Sequence, residues 1–198
     1  MGATVVVREA ASADIETAVA LWTASHVARR NGRPLPEAHI TLAQQRMAAP
    51  EALLLLAHGS VDDGSGNGSG NGSHGGGAGG ADGTSGAGGA GASSLIGTIL
   101  GIQGLDQDGV GAPVPGLLHI SLLSVAPDRW GQHVGRLLVE AVLTRARAGS
   151  FREAQLWTHA DNLRANRLYK AMGFRRSGRV RVDDWGELLV HYRRSLTD

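Results

Sequence analysis

A tract of glycine, serine, alanine and asparagine interrupts the chain at residues 59–94 and limits what the chain can fold into. It holds 16 of the 30 glycines, and these four residue types fill 30 of its 36 positions. Such a segment buries too little apolar surface to offset the entropy of an ordered backbone, so we expect it to be disordered. The apolar runs beside it, 51–58 and 94–103, each predict a strand.

A long connection between two neighbouring strands costs little free energy. Replacing a loop of about 4 residues with one of about 36 costs roughly 2 kcal/mol of closure entropy, against a typical domain stability of roughly 5–15 kcal/mol. A domain boundary at the tract would leave the residues before it with little to pack against. We therefore predict a single domain over residues 1–198, with a disordered insertion at about 59–94.

Hydropathy patterning outside the tract predicts an alternation of strands and helices. Strands are predicted at 4–8, 51–58, 94–103, 117–125, 155–159, 174–182 and 187–196, and helices from Ser12 or Asp14 to about 30, at 36–48, at 135–148 and at 162–172. This order is that of a mixed α/β domain.

Composition excludes several classes of protein and of site. The chain has no cysteine, which excludes a disulfide scaffold, a thiolate zinc site and a cysteine nucleophile. Its eight histidines lack the spacing of a metal site, so we expect no metal. The longest apolar run, 53–57, is far shorter than a membrane span, and no signal-peptide core is present. We expect a cytoplasmic protein without a membrane partner.

Charge is distributed unevenly along the chain. Residues 1–128 carry a net charge of −6 and residues 129–198 carry +7. The basic part favours a polyanionic partner, such as a phosphorylated cofactor or a nucleic acid, but a solvated arginine-rich surface explains it equally well. Arg179 and Arg181 alternate as on a solvated strand face, and aromatic residues do not alternate with the basic ones, so we expect no nucleic-acid partner.

The segment from Leu123 to Leu138 is typical of an anion-binding corner. A predicted strand ends at Pro127, a loop containing Gly131 follows, and a helix begins near Gly135. The first turn of a helix leaves backbone amides unpaired, and glycine lets a phosphate approach them. The spacing matches neither a Walker loop nor a dinucleotide-binding loop. The alternative is a corner that needs glycine only for its turn.

A second segment, 157–174, places polar residues along one helix. Asn162 is a candidate N-cap, and Tyr169 lies two turns further on the same face. A phenol in that position can donate a proton to a leaving group. The alternative is that Tyr169 is a core aromatic residue beside Leu168 and Phe174.

Together these segments resemble the GCN5-related N-acetyltransferase (GNAT) superfamily. Leu123-x-Val125-x-Pro127 with the run 130–138 is similar to its acetyl-CoA motif, and Asn162-x-x-Ala165-x-x-x-Tyr169-x-x-x-Gly173-Phe174 is similar to its second motif. The resemblance covers nearly the whole chain apart from 59–94. It implies an acyl-CoA N-acyltransferase fold, with a mostly antiparallel central sheet flanked by helices. Two departures are Trp130, where the family has arginine or glutamine, and His133, where it has its first glycine.

The resemblance also implies a cofactor and the residues that hold it. Acetyl-CoA would bind through the backbone of Leu123, Ser124 and Val125, through the backbone amides of Gly131, Gln132, His133, Val134, Gly135 and Arg136, through the charge of Arg129 or Arg136, and through Asn162. Tyr169 would line the same site and protonate the departing CoA thiolate. The Val125 amide would stabilise the tetrahedral charge.

The proton acceptor is predicted from strand alternation. Some family members carry a glutamate on the strand before the phosphate-binding loop, and here that strand contains His119. Strict alternation places His119 on the face of Ser121, Leu123 and Val125, and an imidazole that titrates near neutrality can take a proton from an amine. A histidine hydrogen-bonded within the sheet is the alternative. His159, Asp184 and Glu187 are further candidates.

The resulting hypothesis is an acetyl-CoA-dependent N-acetyltransferase. Its acceptor would be a primary amine of a small molecule or a protein, bound between the first two helices and the turn around Trp185, and a homodimer is possible. The competing hypothesis is a catalytically weak acyl-CoA-binding or regulatory domain of the same fold.

Overall fold

A computed structural model of the protein describes residues 4–60 and 93–197. The predicted disordered insertion lies outside the described residues, except that its first two and last two residues belong to strands. The strands are β1 (Val5–Glu9), β2 (Leu53–Ser60), β3 (Ser93–Leu105), β4 (Pro113–Val125), β5 (Glu153–His159), β6 (Arg175–Val182) and β7 (Leu188–Ser195), and the α-helices are α1 (Ile15–Arg29), α2 (Glu37–Met47), α3 (Val134–Ala148) and α4 (Leu163–Ala171).

The strands form one sheet in the order β1-β2-β3-β4-β5-β7-β6. Every neighbouring pair is antiparallel except β4 and β5, which are parallel and are joined through α3. The expectation of a mixed α/β domain with a mostly antiparallel sheet is confirmed. No helix among the described residues is long and apolar enough to cross a membrane.

Helices cover both faces of the sheet, and each face has its own core. On one face, α3 and α4 bury Leu138, Val142 and Tyr169 against the sheet. On the other face, α1 and α2 bury Trp22 and Met47. The sheet is therefore apolar on both sides, as expected when helices flank it.

A β-bulge at Ser121 separates β4 from β5. Leu122 pairs with Leu100 but Ile120 pairs with Gly101, so Ser121 is an extra residue without a partner on β3. Pairing between β4 and β5 ends at Ile120, immediately before the bulge. A bulge bends its strand and increases the local twist. Beyond this point β4 continues to Val125 and β5 continues to His159 without pairing to each other, and an opening forms between them.

The bulge also corrects the predicted orientation of His119. His119 pairs with Ile102, which packs in the core under α1 and α2. Leu123 and Val125 instead pack against the core under α3 and α4. His119 therefore does not share their face, because the extra residue at Ser121 reverses the alternation that the sequence analysis assumed.

Close packing of α3 on β3 depends on the missing side chain of Gly97. A Cβ atom at Gly97 would lie 2.8 Å from Leu138 Cδ1 and 2.9 Å from Val134 Cγ1. Both side chains belong to the half of α3 that starts at the loop after β4. Gly97 therefore sets how closely the beginning of α3 approaches the sheet.

We expect Gly97→Ala to lower the free energy of unfolding by about 1–3 kcal/mol, the usual cost of overpacking a core. Gly149→Ala is the matched control, because a Cβ there meets no atom nearer than 3.5 Å and its φ of −86° suits alanine. Urea unfolding of both variants measures the difference. Equal stability of the two variants would contradict this packing.

Candidate active site

A cavity of about 630 Å³ occupies the opening between β4 and β5. Its walls come from the separated ends of these strands, from the start of α3 and from α4. Residues of α1, α2 and β6 close it on the other side. The cavity thus connects the two faces of the sheet where the strands diverge.

The start of α3 presents unpaired backbone amides to this cavity. Gln132 N donates to Arg129 O, and Arg136 N donates to His133 O. The other four amides of the predicted phosphate-binding segment donate to no backbone carbonyl among the described residues; they belong to Gly131, His133, Val134 and Gly135. Unpaired amides together with the positive end of the helix dipole favour an anion.

The backbone of this loop explains why glycine is expected at position 133. His133 adopts a left-handed conformation, with φ of 63° and ψ of 3°, immediately before the first residue of α3. Gly131 also has a positive φ, of 86°. His133 adopts the left-handed backbone conformation that glycine favours, so α3 can still begin at Val134. Its side chain is exposed and lines the cavity.

Trp130, the other departure from the motif, connects the loop to the end of β4. Its indole Nε1 donates to Val125 O at 2.9 Å. The guanidinium of Arg164 on α4 lies 4.2 Å from the centre of its ring. Trp130 therefore holds the loop against the end of β4 and against α4, two of the elements that line the cavity.

Helix α4 begins at the predicted N-cap. Asn162 Oδ1 accepts from the backbone amide of Ala165 at 3.1 Å, as the sequence analysis predicted. The backbone of Gly135 lets α4 approach α3, because a Cβ there would lie 3.3 Å from Leu168. Asn162 and Tyr169 both line the cavity.

Tyr169 is 5% exposed and packs edge-on against Phe174. The interpretation of Tyr169 as a core aromatic residue is confirmed, and the ring also lines the cavity. Its role as a proton donor stays a prediction. Burial raises the pKa of Tyr169 well above its ordinary value. The phenol therefore stays protonated at neutral pH.

His119, Trp157 and His159 line the side of the cavity that faces α1 and α2. His119 Nδ1 is buried without a hydrogen-bond partner. Burial, together with the nearby positive charges of Arg46 and Arg181, lowers the pKa of His119 to about 4. The expectation that His119 titrates near neutrality is therefore wrong.

His159 lies in a network of charged groups at the end of β5. Its Nδ1 is 2.9 Å from Glu187 Oε2 and 3.8 Å from Asp183 Oδ2. Arg29 and Arg30 donate to the two oxygens of Glu187 at 2.7 and 3.0 Å. Burial and the charge of Arg29 lower the pKa of His159, while the nearby carboxylates oppose this shift.

The same network contains a group of possible metal ligands. Ligand atoms of His159, Asp183 and Glu187 lie within 4.8 Å of one another. Both oxygens of Glu187 are bound by guanidinium groups, so its charge is already compensated. The contacts of these residues are those of an ion-pair network.

Two other predictions concern the turn between β6 and β7. Asp184 is highly exposed and lies 3.7 Å from His39, and it does not line the cavity. The centres of the Trp185 and His39 rings lie 4.4 Å apart. The guanidinium carbon of Arg30 lies 4.2 Å from the centre of the Trp185 ring. Trp185 therefore fastens the turn to α1 and α2, and Asp183 is the residue of this turn that reaches the cavity.

Several residues of the site have no motif that would reveal them. Arg46 on α2 and Arg181 on β6 line the cavity. Arg181 is exposed, as predicted for a solvated strand face, and its guanidinium lies over the ring of Trp157 at 4.7 Å. Asn166 is buried, and its amide donates to the carbonyls of His159, Ala160 and Asn162. These contacts fix the turn that leads from β5 into α4.

Comparison with known proteins identifies related sequences and folds. Residues 87–174 match the model of the Acetyltransferase (GNAT) family. Peptidyl-lysine N-acetyltransferase YjaB from Salmonella typhimurium is 39% identical over 71 residues, which are 35% of this chain and 44% of that protein. The chain therefore aligns with less than half of this curated relative.

Solved structures match over almost the entire chain. An acetyltransferase of the GNAT family from Staphylococcus aureus covers 98% of this chain and 100% of its own, with a TM-score of 0.63 and 13% identity. The PaiA N-acetyltransferase from Thermoplasma acidophilum, in complex with coenzyme A, covers 95% of this chain and 98% of its own, with a TM-score of 0.56 and 14% identity. These similarities show the fold.

Acid is expected to destabilise the fold through two half-buried histidines, His26 and His119. Burial lowers the pKa of His26, as of His119, to about 4, whereas an unfolded chain protonates histidine near pH 6.5. Between these values the unfolded state binds more protons, so the free energy of unfolding falls as the pH falls. Each histidine contributes about 2 kcal/mol to the loss between pH 7 and pH 5.

Urea unfolding at pH 7 and pH 5 measures this loss in the wild type, in His26→Gln and in His119→Gln. Each substitution should reduce the pH dependence. Replacing the exposed His133 with asparagine, which tolerates a positive φ, is the control and should leave it unaltered. A pH dependence that is undiminished after replacement of both His26 and His119 would contradict this origin.

Proposed function

We propose that the chain, whose residues 87–174 match the model of the Acetyltransferase (GNAT) family, transfers an acetyl group from acetyl-CoA to a primary amine of a small molecule or a protein. The observation that carries this proposal is the cavity itself, where unpaired helix-start amides meet the separated ends of β4 and β5. The curated relative, a peptidyl-lysine N-acetyltransferase, supports an amine acceptor. The coenzyme A complex of the PaiA enzyme supports the cofactor.

The residues present fit a CoA thioester. The four unpaired amides at the start of α3 suit a pyrophosphate, and Arg129 and Arg136 stand beside them with Arg164 and Arg167 of α4. The Leu123–Val125 backbone, unpaired on the β5 side, suits the amides of a pantetheine arm, with Asn162 across the cavity.

Ser124 is buried and pairs with Thr98, so it contributes through its backbone. Gln132 contributes at the loop surface, with its side chain bound to Asp128 O.

Acetyl-CoA supplies an acetyl group activated as a thioester, and an amine can attack it directly. Tyr169 lines the cavity and holds a proton at its phenol oxygen, which supports the proposal that it gives this proton to the thiolate leaving group. The Val125 amide, at the end of β4, is assigned to stabilise the negative oxygen that forms on the acetyl carbon.

Two histidines compete for the role of proton acceptor. The imidazolium of His159 would be stabilised by Glu187 at 2.9 Å. The imidazolium of His119 would be destabilised by the positive charges of Arg46 and Arg181. We assign proton acceptance to His159, oriented by Glu187, and His119 remains the alternative that the sequence predicts.

The competing function is acyl-CoA binding with little or no turnover. A pure binding domain would be stabilised against thermal unfolding by CoA but would release no CoA thiol from acetyl-CoA in the presence of amines. The protonated, cavity-lining Tyr169 favours the enzyme, because binding alone does not require a buried proton donor.

We expect Tyr169→Phe to lower kcat about a hundredfold or more, the usual contribution of a general acid. The KM for acetyl-CoA should change little, because the ring and its contact with Phe174 are kept. Thiol release over an amine panel measures both constants, and a thermal melt verifies folding. Unaltered turnover in Tyr169→Phe would remove this residue from the mechanism, and no thiol release from the wild type would favour the binding domain.

We expect His159→Gln to lower kcat/KM about a hundredfold at neutral pH and to abolish the acidic limb of its pH profile. Glu187→Gln should shift that limb to lower pH, because the imidazolium loses its carboxylate. His119→Gln should keep the limb. If His119→Gln abolishes the limb and His159→Gln keeps it, His119 is the proton acceptor.

A further inference from the structure

Ser177, His191 and Gln155 form a chain of hydrogen bonds outside the cavity between β4 and β5. Ser177 Oγ lies 2.7 Å from His191 Nδ1, and His191 Nε2 lies 3.1 Å from Gln155 Oε1. None of these three residues lines the cavity. A hydroxyl bound to an imidazole, whose other nitrogen is bound to a third group, is the arrangement that activates nucleophilic serines.

The positions of the protons follow from the groups that accept them. The side-chain oxygen of Gln155 can only accept, so His191 Nε2 carries the hydrogen of the neutral ring and Nδ1 keeps a lone pair. The backbone amide of Arg179 donates to Ser177 Oγ at 3.3 Å, which leaves the hydroxyl hydrogen for His191. Ser177 therefore donates to a nitrogen that is able to take its proton.

The base of this chain is buried and the hydroxyl is exposed. His191 is 1% exposed and Gln155 is 8% exposed, whereas Ser177 is open to solvent. The centres of the His191 and Trp157 rings lie 4.7 Å apart, so the imidazole is held on one face as well as at both nitrogens. A base whose orientation is already fixed is prepared for proton transfer.

An irregularity in the pairing of β6 with β7 brings Ser177 over His191. β6 pairs with β7 up to Arg176 and again from Val180, and the three residues between them lie opposite His191 alone. Gly178, in the middle of the three, has a φ of 86°, which favours glycine. Bulges redirect side chains and are frequent beside active sites.

The position of Ser177 on β6 makes its hydroxyl accessible. β6 is the edge strand of the sheet, and its residues are exposed along its whole length. A serine that only satisfied the buried nitrogen of His191 would not need to be exposed. Ser177 instead has its oxygen where a reactant can approach from solvent.

We propose that Ser177 is a second reactive centre of this protein, a nucleophile that takes the acyl group of an activated carboxylic ester. Ser177 Oγ bonds to the acyl carbon while its proton passes to His191 Nδ1. The bond from the acyl carbon to the leaving oxygen then breaks, and the leaving group takes this proton from His191. The products are an acyl-serine and an alcohol, so no further reactant is required. Gln155 is a positioning residue, because it acts through His191.

p-Nitrophenyl acetate tests this assignment on the full chain without CoA. The wild type should release p-nitrophenolate and become acetylated on Ser177, which mass spectrometry of its peptides identifies. Ser177→Ala should slow the release about a hundredfold or more, because the nucleophile and its general base act together. Ser195→Ala is the matched control, since Ser195 is an exposed serine of β7 whose hydroxyl bonds to Thr197.

Two variants of Gln155 separate a reactive role from a structural one. Gln155→Glu should speed the release, because a carboxylate stabilises the imidazolium that forms on His191. Gln155→Met has a similar size and should slow the release about tenfold, as expected when a hydrogen bond to a charged ring is lost. Thermal melts verify that both variants fold. A structural role alone would alter the melting temperature without producing this order of rates.

Equal rates of release in the wild type and Ser177→Ala, or acetylation elsewhere with Ser177 unlabelled, would overturn the assignment. A Gln155→Met variant as fast as Gln155→Glu would overturn it as well. Ser177→Ala should keep the thiol release from acetyl-CoA with amines, because Ser177 lies outside the cavity. Absence of that thiol release in the wild type would overturn the proposed function and leave the reactivity of Ser177 standing.

Discussion

The separation of β4 from β5 is the constraint on which the rest of this structure depends. Parallel pairing extends over only Leu117–Ile120 and ends at the bulge of Ser121. The strands then diverge while each remains paired to its antiparallel neighbour, β4 to β3 and β5 to β7. This leaves backbone without a strand partner inside the fold, and unpaired backbone is tolerated there only if water or a ligand satisfies it.

The two sides of the opening present different groups to the cavity. On the side of α3 and α4, helix-start amides and arginines suit phosphates. On the side of α1 and α2, His119 and His159 line the cavity and Arg181 lies over Trp157. Asn166 connects the two sides, because its amide holds the turn after β5 and its Oδ1 accepts from Tyr192 at 2.9 Å. The proposed proton donor, Tyr169, and the proposed proton acceptor, His159, come from consecutive elements, α4 and β5.

The sequence predicts the parts of this site that depend on local structure. The Val125–Gly135 segment and the Asn162 cap follow from residues adjacent in the chain, and the structure has them where they were predicted. The bulge at Ser121 has no such signal, because it arises from register against β3, and it reversed the predicted face of His119. The low pKa of His119 depends on burial and on the charges of Arg46 of α2 and Arg181 of β6, which come together with it only through tertiary packing.

Hydrogen exchange of the backbone amides with and without CoA tests most directly whether the opening between β4 and β5 is the cofactor site. Binding should slow exchange within residues 121–136, where the unpaired edge of β4 and the start of α3 lie, and should leave β1 and β2 on the far side of the sheet unaltered. CoA binding that slows exchange elsewhere but leaves residues 121–136 unprotected would contradict the account.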